Sequence, residues 1–152
     1  MTKNQNVLKW VEEMKALTQP DKVVWIDGSE EQLKALRDEA IATGEMIELN
    51  QEKLPGCLYH RTAENDVARV EDRTFICSRE KENAGPTNNW MDPKEMYAKL
   101  TKLYDGVMKG RTMYVIPYSM GPIGSPIAKV GVELTDSIYA VSYTHLTLPT
   151  NS

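Results

Sequence analysis

The chain has 152 residues, of which 41% are hydrophobic and 26% charged, and its 18 Lys and Arg against 22 Asp and Glu give a formal net charge of −4. This composition is typical of a globular domain and excludes a disordered or collagen-like chain. No apolar run approaches the roughly 18 residues of a membrane span, and a mildly acidic chain without a basic stripe argues against a nucleic-acid partner. The polar N-terminus lacks a signal-peptide pattern, so we expect a cytoplasmic domain.

Two helices are predicted in the first fifty residues, with a short strand between them. Their apolar residues recur at helical spacing: Val7, Val11, Met14 and Leu17 in the first, and Leu33, Leu36, Ala40 and Ile41 in the second. Asn6 is the expected cap of the first helix and Pro20 ends it. Ser29 and Gln32 form a capping box that begins the second helix. Helices alternating with strands predict an α/β fold.

A third helix and a series of short strands are predicted farther along. Asp92 followed by Pro93 begins the helix, and we expect Met96, Leu100 and Leu103 to form its buried stripe. Short apolar or β-forming runs predict strands at 23–26, 46–49, 57–59, 66–71, 74–77, 112–116 and 129–134. We expect the strands at 112–116 and 129–134 to pack against later parts of a longer protein.

A loop rich in glycine and proline separates the last two predicted strands. Five of the ten residues at 117–126 are of these types: Pro117, Gly121, Pro122, Gly124 and Pro126. Prolines limit the backbone states of such a loop, while glycines allow a ligand or another backbone to approach closely. The local pattern fits a loop that lines a site and a structural turn equally well.

Metal and covalent chemistry have little support in the sequence. The two histidines, His60 and His145, stand far apart without carboxylates in helical register, so we expect no metal site. Cys57 and Cys77 form no CxxC pair and have no recognisable catalytic partner. We interpret them as two buried or half-buried thiols.

The segment Asp66–Glu71, with the sequence DVARVE, places a cation among apolar neighbours. On a strand Arg69 and Glu71 face one way, and a partly buried guanidinium usually meets a carboxylate through two parallel hydrogen bonds. That carboxylate is either a ligand or an internal partner such as Glu71. From the residue pattern alone an internal salt bridge is favoured.

Four strings of the sequence resemble GTP-dependent phosphoenolpyruvate carboxykinase, and the likeness covers about residues 1–139. They are WIDGSEEQ (25–32), NDVARVE (65–71), NNWMDP (88–93) and MKGRTMYVIPYSMGPIGSPIAKVGVELTDS (108–137). The last string is long and collinear with the family. The resemblance implies the α/β fold of that enzyme's N-terminal, substrate-side domain, in truncated form and of bacterial type.

The resemblance also implies an activity and a site. Family members convert oxaloacetate and GTP reversibly to phosphoenolpyruvate, carbon dioxide and GDP, a lyase reaction of gluconeogenesis and anaplerosis that uses Mn²⁺ or Mg²⁺. By resemblance, Arg69 is the substrate-binding arginine and Glu71 supports it by coupling the region to the active-site lid. This reverses the preference for a salt bridge at Arg69. The parent enzyme is expected to be monomeric.

The resemblance further implies that the residues holding metal and GTP lie beyond this chain. We therefore expect no complete catalytic centre in residues 1–139, no metal ligands, and neither a metal ion nor GTP bound by this piece alone. The GTP partner would be met through a missing C-terminal domain. Alone, the chain is expected to be inactive.

The end of the sequence departs from the family. The sixteen residues after Asp136 contain no Asp, Glu, Lys or Arg, and the likeness ceases after Tyr139. Residues 141–150, VSYTHLTLPT, resemble one reading frame of a transposon sequencing adapter. We therefore expect a non-native tail at 140–152, although the spacing of Tyr143–Leu148 alone is compatible with an edge strand.

Two alternatives stay open. One is a free-standing α/β module that binds small dicarboxylates through Arg69 and the Gly/Pro loop without catalysis. The other is a structural domain that binds no small diacid.

Overall fold

The computed structural model describes residues 2–65 and 70–146. Its helices are α1 (Gln5–Thr18), α2 (Glu30–Ala42), α3 (Pro93–Tyr104) and α4 (Ile138–Leu146), with 3₁₀ turns at Glu71–Arg73 and Lys81–Ala84. Its strands are β1 (Lys22–Trp25), β2 (Ile47–Glu48), β3 (Leu58–Tyr59), β4 (Phe75–Ile76), β5 (Asn89–Trp90), β6 (Thr112–Met120) and β7 (Lys129–Thr135). This arrangement confirms the predicted α/β class.

A mixed three-stranded sheet in the order β1-β6-β7 forms the centre of the fold. β1 runs parallel to β6, and β6 runs antiparallel to β7. Two-stranded pairs β2-β3 and β4-β5 lie outside this sheet. The parallel pairing of β1 and β6 needs a long crossover, which α2, the small pairs and α3 supply.

Alternate residues of β6 supply both layers of the core. Met113 and Val115 pack with Val11 of α1. Tyr114 and Ile116 face the other way, into a cluster built mainly from α2 and α4. Met113, Val115 and Ile116 have no exposed surface, so the expectation that the strand at 112–116 awaits later parts of a longer protein is wrong for these residues.

β6 continues through Pro117 to Met120, four residues past the predicted end. Val115 turns its carbonyl toward β1, where it accepts a hydrogen bond from the Ile26 N–H at 2.9 Å. The backbone nitrogen of Pro117, two residues farther along the strand, faces the same side, but it lies beyond the end of β1 at Trp25. Proline fits here because the N–H that it lacks has no strand to pair with.

Helix caps explain where α1 and α2 begin. Asn4, two residues before the predicted cap, accepts hydrogen bonds from the N–H groups of Asn6 and Val7. Ser29 caps α2 as predicted, by accepting from the Gln32 N–H at 3.3 Å. The Gln32 side chain instead reaches back to the end of β1, where it donates to the Trp25 carbonyl at 2.8 Å.

The buried stripe predicted for α3 is wrong, and the edge strand that the spacing of Tyr143–Leu148 left open is absent from the described part of that segment. α3 has no buried residue, and Leu103 of its expected stripe is 63% exposed, because the described elements leave that face of α3 uncovered. Near the end of the chain, α4 replaces the possible edge strand. Glu45 stabilises its beginning by accepting hydrogen bonds from the Ser137 hydroxyl and the Tyr139 N–H at 2.6 and 2.9 Å.

Candidate functional site

The predicted substrate arginine, Arg69, lies outside the described residues, which resume at Val70. Its role as substrate contact or salt-bridge partner therefore stays a prediction. Val70 has an extended backbone, with φ −121° and ψ 107°. The strand predicted for 66–71 is wrong at its end, because Glu71 begins a 3₁₀ turn. The Glu71 side chain is exposed, so it is accessible to solvent or to another part of a longer protein.

Asn89 braces the turn that follows Arg69. Its side-chain amide donates to the Glu71 carbonyl at 2.8 Å and to the Thr74 carbonyl at 3.3 Å. Residues immediately beyond the turn pair in parallel with the strand that carries Asn89, with Phe75 opposite Asn89 and Ile76 opposite Trp90. The position of the chain two residues after Arg69 is thus fixed from β5.

Two other residues of the NNWMDP string also bind backbone groups nearby. The Trp90 ring N–H donates to the Ser78 carbonyl at 3.0 Å. The Asn88 side chain donates to the Ala84 carbonyl at 2.7 Å. From the sequence, Asp92 and Pro93 of this string predict a helix start and the string as a whole resembles a family, but the bracing role of its asparagines and tryptophan was missed. The available signal was two adjacent asparagines, a residue type whose side-chain amide bonds readily to backbone carbonyls.

The Gly/Pro loop forms one wall of an open groove of about 1070 Å³. Its described lining residues come from the start of α1, the end of β1 and the distal half of the β6–β7 hairpin: Thr2, Asn4, Asn6, Val7, Trp10, Trp25, Ile26, Asp27, Pro117, Tyr118, Ser119, Gly121, Ile123, Val130, Gly131 and Val132. None of these residues is a lysine, arginine or histidine. The groove therefore offers a dicarboxylate no cation among the described residues.

Asp27 adds a negative charge to this groove. The Ser29 backbone N–H, which donates to the Asp27 carboxylate at 2.8 Å, lowers the pKa of Asp27, and the Ser29 hydroxyl lowers it further. Asp27 is therefore ionised at neutral pH. An anionic ligand is disfavoured at this end of the groove.

A second cavity of about 590 Å³ lies between α2, the β3 region and α4. Arg37, one of its lining residues, donates to the Gly56 carbonyl. His60 stacks on the Tyr139 ring with centroids 4.1 Å apart, and its Nδ1 lies 2.7 Å from the Glu45 carbonyl. His60 is thus a satisfied structural histidine.

The described residues do not form a metal centre. No group of three His, Cys, Asp or Glu in the described ranges is placed to hold a metal ion. Cys57 and Cys77 are both exposed, so the prediction of buried or half-buried thiols is wrong. Within residues 2–65 and 70–146, no helix has the length and apolar character needed to cross a bilayer.

Comparison with known proteins decides the family. The family model described as "Phosphoenolpyruvate carboxykinase N-terminal domain" matches residues 9–148. The chain belongs to this family. The resemblance found in its four strings is thereby confirmed. The match overlaps residues 140–148 of the predicted non-native tail, and the boundary at residue 140 stays a prediction.

Curated relatives of the chain bear the name of the phosphoenolpyruvate carboxykinase that uses GTP. A protein from Anaeromyxobacter sp. (strain K), "Phosphoenolpyruvate carboxykinase [GTP]", is 59% identical over 138 residues, which are 91% of this chain and 23% of the relative. A protein of the same name from Corynebacterium jeikeium (strain K411) is 51% identical over 140 residues, or 92% of this chain and 23% of the relative. The chain thus spans about 23% of the length of these carboxykinases.

Proposed function

We propose that the chain supplies part of the oxaloacetate and phosphoenolpyruvate site of a GTP-dependent phosphoenolpyruvate carboxykinase, with Arg69 as the substrate contact and Glu71 as a supporting residue. The observation that carries the proposal is the 59% identity to a relative of that name over 138 residues. In the full-length protein the activity is the reversible conversion of oxaloacetate and GTP to phosphoenolpyruvate, carbon dioxide and GDP. The protein acts in the cytoplasm as a monomer.

The proposed role of Arg69 follows from the charge of the substrate. Oxaloacetate carries two carboxylates, and a guanidinium donates two parallel hydrogen bonds to one of them. Holding a reactant in one orientation lowers the entropic part of the barrier. The Asn89 bonds to the Glu71 and Thr74 carbonyls supply a fixed support two residues from Arg69.

Manganese or magnesium and GTP belong to the proposal only for the full-length protein. The described residues do not fit a metal site, because they provide no group of three His, Cys, Asp or Glu placed around an ion. The chain by itself is expected to be inactive, and GTP-dependent turnover by the purified chain would contradict this.

A lysine substitution tests the substrate contact. In the full-length Anaeromyxobacter relative, the position aligned with Arg69 is changed to lysine, which supplies a positive charge without the guanidinium fork. We expect the KM for oxaloacetate and for phosphoenolpyruvate to rise about tenfold or more, equivalent to at least about 1.4 kcal/mol, with the KM for GTP unchanged. The matched control is the same substitution to lysine at the position aligned with Arg73, an exposed arginine of the following turn. This control should leave the KM values unchanged. Unchanged kinetics in the Arg69 variant would remove Arg69 from the site.

The alternative of a free-standing dicarboxylate-binding module has a direct test in the isolated chain. Tight binding of malonate, measured by calorimetry and lost in Arg69→Lys, would favour it. The absence of cations among the described residues of the groove disfavours the Gly/Pro loop as the second half of such a site.

We propose separately that residues 140–152 are a non-native tail translated from a sequencing adapter. The support is the likeness of residues 141–150 to one adapter reading frame. α4 runs across this boundary and Val141 is buried, so the tail covers part of the core. Sequencing the underlying gene tests the proposal: adapter bases from the Ala140 codon onward are expected, and unrelated codons there would refute it.

A further inference from the structure

The distal half of the β6–β7 hairpin carries an exposed apolar surface. It consists of Ile123 and Val130, which are 92% and 85% exposed and both line the groove described above. We call these two residues the hairpin-tip surface. The proximal half of the same hairpin has the opposite character, since Val115 and Ile116 are fully buried. The contrast lies within one continuous pair of strands.

The hairpin-tip surface continues into the apolar groove. Ile123 and Val130 belong to both, and across the groove stand Val7, Trp10 and Trp25. Contiguous apolar surfaces of this kind are rare on monomeric proteins and mark interaction sites. The acidic Asp27 and the lack of a lining cation among the described residues favour an uncharged or apolar occupant over an acidic one.

The distal hairpin is held in shape by its own contacts. Tyr118 stands opposite Gly131, and its ring lies so close that a Cβ at Gly131 would come within 2.6 Å of it. Within the loop, the Ser125 N–H donates to the Pro122 carbonyl at 3.0 Å. The hairpin therefore presents its apolar side chains on an ordered support.

From these observations we infer that the hairpin-tip surface and the groove are a docking surface for the remainder of the full-length carboxykinase polypeptide. The inference rests on the proposed function, because it assumes that this chain works as part of the longer enzyme. The curated relatives match this chain over only 23% of their length. More than three quarters of each relative is thus polypeptide that can cover the surface.

Cysteine labelling tests the inference in two proteins. Ile123→Cys and Val130→Cys are made in this chain carrying Cys57→Ser and Cys77→Ser, and at the aligned positions of a cysteine-free full-length Anaeromyxobacter relative. Asp38→Cys, on the exposed face of α2, is the matched control. Maleimide labelling rates are measured in both proteins across a concentration series, together with carboxykinase activity of the full-length variants.

We expect positions 123 and 130 to label at least about 30-fold more slowly in the full-length protein than in this chain, with position 38 labelling equally fast in both. Equal rates at 123 and 130 in an active full-length protein would overturn the inference and leave the proposed function intact. Protection that grows with protein concentration in either protein would also overturn it, because a second copy would then be the occupant. Protection at all concentrations would support docking, while the proposed function is decided separately by the substitution at the position aligned with Arg69.

Discussion

Replacing Asn89 by alanine is the sharpest test of how the candidate site is supported. The change removes two hydrogen bonds, to the Glu71 carbonyl at 2.8 Å and to the Thr74 carbonyl at 3.3 Å. A typical hydrogen bond contributes about 0.5–1.5 kcal/mol net, and the longer bond belongs at the low end of that range. Both carbonyls lie near solvent and can bond to water afterwards, so no burial penalty adds to the loss. We expect local destabilisation of about 1–2 kcal/mol.

Hydrogen exchange measures this local effect. The Arg73 and Thr74 amides donate to the Val70 and Glu71 carbonyls within the braced turn. A loss of about 1–2 kcal/mol corresponds to about 5- to 30-fold faster exchange of these two amides, since each 1.4 kcal/mol is tenfold.

Asn88→Ala is the matched control for that experiment. It removes an equally short bond one residue away, to the Ala84 carbonyl at 2.7 Å. We expect it to leave the exchange of Arg73 and Thr74 unchanged. Equal effects of the two variants on these amides, or no effect of Asn89→Ala, would refute the bracing role.

Two further predictions concern stability. Ile116→Ala removes a fully buried side chain and should lower the free energy of unfolding by about 2–5 kcal/mol. Val130→Ala, in the same hairpin but 85% exposed, should change the free energy of unfolding by less than about 0.5 kcal/mol. Urea titration measures both values, and equal losses in the two variants would contradict the burial assignment. Burial raises the pKa of Tyr114, and the negative charges of Glu39 and Glu45 raise it further. At a pH between the pKa of Tyr114 in the unfolded chain and its higher pKa in the folded protein, the unfolded state binds fewer protons than the folded state. The free energy of unfolding therefore falls as pH rises through this window. Tyr114→Phe should therefore flatten the loss of thermal stability above about pH 10, and equally steep profiles for the two proteins would refute that cause.

Features that depend on neighbours in the sequence were predictable. The Ser29 cap, the Pro20 stop and the α/β alternation follow from local backbone chemistry, and each is present. The α3 stripe failed for a physical reason. A helical apolar pattern shows which face seeks a partner, but it does not show whether the described chain supplies one, and here Leu103 is left exposed.

The support of the candidate site was beyond local patterns. Asn89 bonds to carbonyls 15 and 18 residues away, so its role depends on the parallel pairing of β4 with β5. Strands of two residues carry too little pattern to predict that pairing. The family and the candidate Arg69 came from longer strings, because many matching residues in order identify a family where single residues do not.

Chemical rescue tests the central claim most directly. In the full-length Anaeromyxobacter relative, the position aligned with Arg69 is changed to alanine. Turnover of oxaloacetate is followed with and without added guanidinium, using sodium chloride at equal ionic strength as the control. If Arg69 holds the substrate carboxylate, activity falls sharply and guanidinium, but not sodium, restores part of it. Full activity of the alanine variant, or equal restoration by sodium chloride, would contradict a guanidinium–carboxylate contact at this position.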